Sequence, residues 1–222
     1  MIPLRDINPR STLPFMTVLI ILANLGVFLY QVSLGPRAGQ AFVFMHGMIP
    51  ARVPLAFVGD GITLTQAFAP LLTSMFLHGG WFHLIGNMWF LWVFGDNIED
   101  HLGHFSYVLF YLVCGVGAGV VHSVANLGST IPAVGASGAI SGVMGAYIVL
   151  FPRSRVLTLV PLLFFFFTVQ LPAVVLLGYW FLIQFLSGVG SLGMHTQGGV
   201  AFWAHIGGFV LGALLVVGSR RR

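Results

Sequence analysis

The chain has 222 residues, of which 58% are hydrophobic and 6% are charged, and its net charge is +4. Soluble domains carry about one charged residue in four, so this composition excludes a soluble protein and indicates a helical membrane protein that forms one domain. The sequence contains no basic stretch interleaved with aromatic residues, so we expect no nucleic acid partner.

Apolar runs predict six membrane spans. In chain order, the predicted spans cover residues 13–34, 77–94, 105–126, 136–150, 171–186 and 201–217. The expected fold is therefore an all-α membrane protein, a bundle of six transmembrane helices with a long first loop at residues 35–76. The apolar stretch 156–170, which Pro161 interrupts, is expected to be interfacial or re-entrant.

Arginine residues set the expected orientation, because the chain contains no lysine. With the N-terminus inside, seven of the nine arginines face the cytoplasm, namely Arg5, Arg10, Arg153, Arg155, Arg220, Arg221 and Arg222. Arg37 and Arg52 then lie outside, so the positive-inside rule predicts cytoplasmic termini for a protein of the cell membrane. The expected parts are a cytoplasmic N-terminal segment at 1–12, a six-helix membrane domain at 13–217 and a basic cytoplasmic tail at 218–222.

The fourth predicted span begins next to Ser137. A helix of about fifteen residues reaches only about 22 Å, so its N-terminus must lie below the outer membrane surface. Ser137 would then occupy a hydrated cavity at a helix N-terminus, where amide groups favour a developing anion. Small residues recur at helical spacing at Ser137, Ser141 and Gly145, and again at Gly138 and Gly142, which also predicts a close packing face.

The sixth predicted span contains His205, and Gly208 and Gly212 follow on the same helix face. An ionisable side chain inside a membrane span is costly and usually functional, while glycines allow a neighbouring helix to approach. If that neighbour is the small face of the fourth span, His205 can reach hydrogen-bond distance of Ser137. The two side chains would then have the chemistry of a nucleophile and its base.

His83 and Asn87 share a face near the outer end of the second span. Imidazole and amide groups can donate hydrogen bonds to an oxyanion, whereas His78, five residues before His83, is expected to point elsewhere. A zinc site of His78, His83 and His205 is the competing interpretation. It lacks a nearby carboxylate and the His-Glu-x-x-His spacing of zinc enzymes, so we expect neither a metal nor a cofactor.

Together these residues resemble the rhomboid intramembrane serine proteases. The matching pieces are His78-x4-His83-x3-Asn87, Gly135-Ala-Ser137-Gly138 and Ala204-His205-x2-Gly208-x3-Gly212. The resemblance covers the six-helix core and implies a Ser137–His205 dyad that cleaves single-span membrane proteins within or beside their transmembrane segments. It also implies an oxyanion hole made of His83, Asn87 and the Ser137 amide, and a turn at residues 95–100 in which Glu99 is structural.

Two positions depart from the family pattern. Residues 69–73 read Ala-Pro-Leu-Leu-Thr where many members carry Trp-Arg in the first loop, and Ser141 stands where some members stack an aromatic residue on the histidine. No acidic residue lies near either catalytic helix, so Ser141 is the expected support for His205. The glycine-rich segment 187–199 is expected to be a mobile outer lid or a plain connector.

Three other functions compete with this interpretation. A small transporter would explain intramembrane histidines but offers no reason for a serine at a sunken helix start. A catalytically inactive rhomboid-like binding factor would lose the serine or the histidine, and this chain keeps both. An intramembrane aspartyl protease needs two carboxylates, and all five acidic residues are predicted to lie in loops, which excludes it.

Overall fold

The computed structural model describes residues 1–58, 61–162, 165–191 and 201–219. Over these residues the chain is mostly helical, with a small sheet. In chain order the elements are β1 (Ile2–Asp6), α1 (Phe15–Ser33), α2 (Gly35–His46), α3 (Arg52–Val58), α4 (Leu64–Phe68), α5 (Pro70–Thr73), α6 (Trp81–Leu102), α7 (His104–Ala125), α8 (Ser137–Leu150), β2 (Arg155–Leu162), β3 (Phe165–Pro172), α9 (Ala173–Gly190) and α10 (Phe202–Val216). Two 3₁₀ turns, Ser74–Phe76 and Val217–Ser219, precede α6 and follow α10.

Helix α8 lies at the centre of the bundle, because every residue from Gly138 to Tyr147 is buried. Its glycine, alanine and serine residues let neighbouring helices approach closely. A Cβ atom added at Gly142 would lie 2.5 Å from Cys114 Cβ of α7 and 3.3 Å from the Gly208 carbonyl oxygen of α10. The short central helix is therefore enclosed by its neighbours.

Four helical stretches in the described residues are long and apolar enough to cross a bilayer, namely Phe15–Ser33, His104–Ala125, Ala173–Gly190 and Phe202–Ser219. The other two predicted spans are also helices, but α8 has only 14 residues and α6 ends in a polar stretch that includes Asp96 and Asp100. The chain is therefore a multi-pass helical membrane protein with four candidate spans. The count of six spans stays a prediction.

The region predicted as a long first loop contains four short helices, α2 to α5. Thr63 begins α4 with a capping box, in which Thr63 and Gln66 satisfy each other's backbone amides. Thr73 Oγ1 at the end of α5 donates to the His46 carbonyl oxygen at the end of α2 over 2.7 Å. Residues 48–51 lie beside the segment that leads into α8, because Met48 pairs with Ala133 and the Ala51 amide donates to the Ser129 carbonyl oxygen.

The prediction of an all-α protein is wrong for Ile2–Asp6, Arg155–Leu162 and Phe165–Pro172, which form a three-stranded antiparallel sheet in the order β1-β2-β3. The stretch 156–170 is therefore mostly strand, and the described part of it is a hairpin of β2 and β3. Val156 and Thr158 of the central strand are buried. Trp89 Nε1 of α6 donates to the Pro3 carbonyl oxygen over 2.5 Å, which holds the sheet against the bundle.

Glu99 is buried near the C-terminal end of α6 and binds the start of α1. Its two carboxylate oxygens accept the Met16 and Thr17 amides at 2.8 and 2.7 Å, and Thr17 Oγ1 also donates over 2.7 Å. His104 Nδ1 lies 2.5 Å from the same carboxylate. The turn predicted at residues 95–100 is wrong, because these residues belong to α6, and Glu99 caps another helix from there.

Candidate active site

Helices α8 and α10 cross with their backbones in contact. A Cβ atom added at Gly208 would overlap the Gly138 carbonyl, and one added at Gly212 would overlap the Gly142 carbonyl. One added at Gly145 of α8 would overlap a backbone carbonyl of α10 in the same way. Any larger side chain at these positions would push the helices apart. The crossing brings the first turn of α8 beside the first turn of α10.

Ser137 and His205 are hydrogen-bonded at this crossing. His205 Nε2 lies 2.8 Å from Ser137 Oγ, and His205 Nδ1 lies 2.7 Å from Gln184 Oε1 on α9. An amide oxygen can only accept, so Nδ1 carries the proton of the neutral ring and Nε2 offers its lone pair. The Ser137 hydroxyl therefore donates to His205 Nε2, which is the direction needed to remove its proton. His205 is only 9% exposed.

The irregular backbone that leads into α8 is paired with other parts of the protein. Met48 and Ala133 exchange two backbone hydrogen bonds of 3.0 and 2.8 Å, and the Gly135 amide donates to the Ser74 carbonyl over 2.9 Å. Such pairing is what non-helical backbone requires at membrane depth. Ser137 is the first residue of α8, so its amide has no intrahelical acceptor and lies at the positive end of the helix dipole.

His83 and Asn87 of α6 lie beside Gly135, two residues before Ser137. A Cβ atom at Gly135 would lie 2.7 Å from His83 Nε2 and 3.5 Å from Asn87 Nδ2, and the φ of +122° also favours glycine. The Gly79 amide donates to His83 Nδ1 over 3.3 Å, which leaves the proton of the neutral ring on Nε2. Asn87 Nδ2 is buried without a hydrogen-bond partner in the described part of the chain. Two N–H donors therefore lie next to the start of α8.

The structure does not show the predicted hydrogen bond between Ser141 and His205. The Ser141 hydroxyl donates to the Ser137 carbonyl over 2.6 Å, because a serine inside a helix can satisfy itself on the preceding turn. Besides Ser137, His205 has two neighbours on α9: Gln184 accepts from Nδ1, and the Trp180 ring lies 5.8 Å from the imidazole, centroid to centroid. A glutamine inside an apolar span indicates a buried polar contact, but the sequence does not identify its partner.

His78 does not point away from His83, because the two ring centroids lie 5.1 Å apart in an edge-to-face arrangement. His78 is fully buried, and neither of its ring nitrogens has a hydrogen-bond partner among the residues that the structure describes. Within those same residues, no group of three histidine, cysteine or acidic side chains could hold a metal ion. The geometry therefore gives no support to the competing zinc interpretation.

The predicted lid at 187–199 lies mostly outside the described residues. Helix α9 ends at Gly190, and Ser191 donates to the Gly188 carbonyl over 2.7 Å. Residues 192–199 are not among those that the structure describes, so the lid stays a prediction.

Comparison with known proteins relates the chain to one family. A family model described as Rhomboid domain matches residues 65–222. The chain is 29% identical to RHOMBOID-like protein 4 of Arabidopsis thaliana, over 93% of the chain and 52% of that protein. It is 33% identical to Rhomboid-like protein 11, chloroplastic, of the same plant and to the mouse Presenilin-associated rhomboid-like protein, mitochondrial. Those matches cover 55% and 54% of the chain, but only 38% and 33% of the two relatives.

Proposed function

Because the chain belongs to the rhomboid family, we propose that it is an intramembrane serine endopeptidase with Ser137 as nucleophile and His205 as general base. One observation carries the proposal, the 2.8 Å hydrogen bond between Ser137 Oγ and His205 Nε2. The tautomer implied by the bond from His205 to Gln184 leaves Nε2 free to accept the hydroxyl proton. A serine that only packs between helices does not require such a partner.

The proposed reaction is hydrolysis of a peptide bond in two steps. Ser137 Oγ attacks the scissile carbonyl carbon while its proton moves to His205 Nε2, which gives a tetrahedral oxyanion and an imidazolium. His205 returns the proton to the leaving amine as the C–N bond breaks, and an acyl ester remains on Ser137. Water then attacks this ester and gives a proton to His205, which returns it to Ser137 Oγ as the new carboxyl end leaves.

We assign stabilisation of the oxyanion to His83, Asn87 and the amide of Ser137. The first two present N–H groups beside Gly135, and the third lies at the positive end of α8. Donors aimed at the place where negative charge develops are worth most in a site with little water. The Asn87 amide nitrogen has no hydrogen-bond partner among the described residues, which supports this assignment, because a buried donor without an acceptor is otherwise costly.

We propose that the substrates are single-span membrane proteins, cut within or beside their transmembrane segments. Support comes from the position of Ser137, which is half-buried at the start of a helix of 14 residues. At about 1.5 Å per residue, α8 extends only about 21 Å, so the nucleophile lies below the surface of a bilayer with a hydrocarbon core of about 30 Å.

We further propose that both termini face the cytoplasm and that the site opens to the outer side of the cell membrane. Arg5 and Arg155 lie on the sheet at the end of the bundle where α8 finishes. Arg52 directly follows the segment that pairs with Ser129 and Ala133, at the end where α8 begins. The excess of arginine at the first end supports this orientation under the positive-inside rule.

The experiment that tests the proposal is cleavage of a panel of single-span substrates in liposomes, with the products mapped by mass spectrometry. The wild-type protein should cut within or beside the transmembrane segment, and Ser137→Ala should abolish cleavage while the protein stays folded. Ser33→Ala, at the end of α1 where the Ser33 hydroxyl donates to the Tyr30 carbonyl of the same helix, is the matched serine control and should cleave normally. Equal cleavage by Ser137→Ala would contradict the mechanism, and no cleavage of any substrate by the wild type would favour the inactive binding factor.

A further inference from the structure

The side chain of Gln184 extends the Ser137–His205 pair into a line of three groups. Gln184 is half-buried on α9, and its Oε1 atom lies 2.7 Å from His205 Nδ1, while His205 Nε2 lies 2.8 Å from Ser137 Oγ. We propose that Gln184 is a positioning residue that holds His205 in the tautomer with the proton on Nδ1, so that the site works as a Ser–His–Gln triad. This inference rests on the proposed proteolytic function.

Gln184 determines which nitrogen of His205 carries the proton. A neutral imidazole carries one proton, and only the nitrogen without that proton can accept from Ser137 Oγ. An acceptor beside Nδ1 draws the proton to that nitrogen and leaves the Nε2 lone pair directed at the serine. Without the amide oxygen, a fraction of His205 would carry its proton on Nε2, and this fraction could not act as the base.

No carboxylate takes this role among the residues that the structure describes. The four acidic side chains in that part of the chain contact the N-terminal segment, Tyr147 or His104, near the end of the bundle where α8 finishes: Asp6, Asp96, Glu99 and Asp100. In serine proteases with a triad, a buried carboxylate orients the histidine and stabilises its cation. Here an uncharged amide supplies the orientation, and no net charge is buried in the membrane span.

The surroundings of His205 explain why a single amide is enough to orient the ring. Trp180 lies four residues before Gln184 on the same face of α9, and its ring lies 5.8 Å from the imidazole with an interplanar angle of 36°. The indole therefore packs at a tilt beside the imidazole, while Gln184 and Ser137 bind its two nitrogens. An amide dipole stabilises an imidazolium less than a carboxylate does. Activity should therefore be lost in acid as soon as His205 becomes protonated.

The test compares Gln184→Met, which keeps the length of the side chain and removes the acceptor, with Gln184→Glu, which keeps an acceptor and adds a charge. Gln184→Met should lower kcat by about 10- to 100-fold, the effect of one lost hydrogen bond to a catalytic group, with little change in KM. Gln184→Glu should be at least tenfold more active than Gln184→Met, and the acidic limb of its pH–rate profile should move to higher pH. Gln40→Met, on the exposed face of α2, is the matched glutamine control.

A readout independent of activity separates this inference from the proposed function. In protein labelled with ¹⁵N-histidine, the His205 signals, assigned by their loss in His205→Ala, should show the proton on Nδ1 at neutral pH. Gln184→Met should shift these signals toward the tautomer with the proton on Nε2. Wild-type kcat in Gln184→Met, or unchanged ¹⁵N signals in that variant, would overturn the positioning role even if the wild type cleaves. If Gln184→Met does not fold, a wild-type spectrum with the proton on Nε2 would overturn it.

Discussion

Substitution of Gly208 by alanine should separate α8 from α10 without changing Ser137 or His205 themselves. A Cβ atom at Gly208 would overlap the Gly138 carbonyl oxygen and would lie 2.9 Å from the Gly138 carbonyl carbon. Ordinary contacts between carbon atoms are about 3.5–4.0 Å, so α10 must move away from α8 by roughly 1 Å. The distance from Ser137 Oγ to His205 Nε2 is 2.8 Å, and this displacement would take it past the limit of a useful hydrogen bond.

The expected cost in activity is large compared with the cost in stability. A misplacement of about 1 Å can lower turnover about 10²-fold, whereas overpacking of this kind typically destabilises a protein by about 1–3 kcal/mol. The assay is kcat on a reconstituted single-span substrate, with thermal unfolding of the same sample. Gly178→Ala on α9 is the matched control, because nothing lies within 4 Å of its added Cβ atom, and it should cleave normally. A folded Gly208→Ala protein with wild-type kcat would show that the close contact of α8 and α10 does not determine activity.

Two further predictions concern the proposed oxyanion donors and the sheet. His83→Ala and Asn87→Ala should each lower kcat by about 10²–10³-fold with a smaller change in KM, and steady-state kinetics with wild-type kcat in the double variant would contradict their assignment. Burial raises the pKa of Asp6 to about 6, although the hydrogen bond from Tyr147 opposes this shift. The folded state then binds more protons than the unfolded state between about pH 4 and pH 6, so stability should fall as pH rises through that window, by roughly 1–2 kcal/mol after allowance for solvent screening. Asp6→Asn should flatten this dependence in thermal unfolding measured from pH 4 to pH 7, and an unchanged slope would show that Asp6 is not its source.

The chemical groups of the site could be predicted from the sequence because intramembrane polar residues are costly and therefore informative. Ser137 and His205 each lie in an apolar helix beside small residues, and the glycines at 208 and 212 indicate which faces meet. Close approach of two helices needs a small residue at each contact, so the pairing of the two faces follows from local spacing. The structure brings these residues together as that spacing predicts.

The support for His205 could not be predicted in the same way. Ser141 is one turn from Ser137, but its hydroxyl has a nearer acceptor on its own helix. Gln184 reaches His205 because of the rotation of α9 about its axis, which an apolar span with a weakly amphipathic pattern does not determine. A contact between residues on two helices that are distant in sequence can be predicted only when the packing of those helices is known.

The sheet was missed for a different physical reason. Strands are recognised by alternation of apolar and polar residues, and the stretch 156–170 is apolar on both faces. A run of that kind cannot be told from an interfacial helix by periodicity alone. Its partner strand, residues 2–6, lies about 150 residues earlier, and pairing at such a distance leaves no local signal.

Activation of Ser137 by His205 is tested most directly by the rate at which a fluorophosphonate labels the protein, followed by intact mass spectrometry and peptide mapping. A serine activated by a neighbouring base reacts with such a reagent, and an ordinary hydroxyl does not. The wild-type protein should gain one adduct, located on Ser137, and His205→Ala should react at least about 100-fold more slowly, the lower range for the loss of a general base. An adduct on another residue, or equal labelling rates for the two proteins, would contradict the claim that His205 activates Ser137.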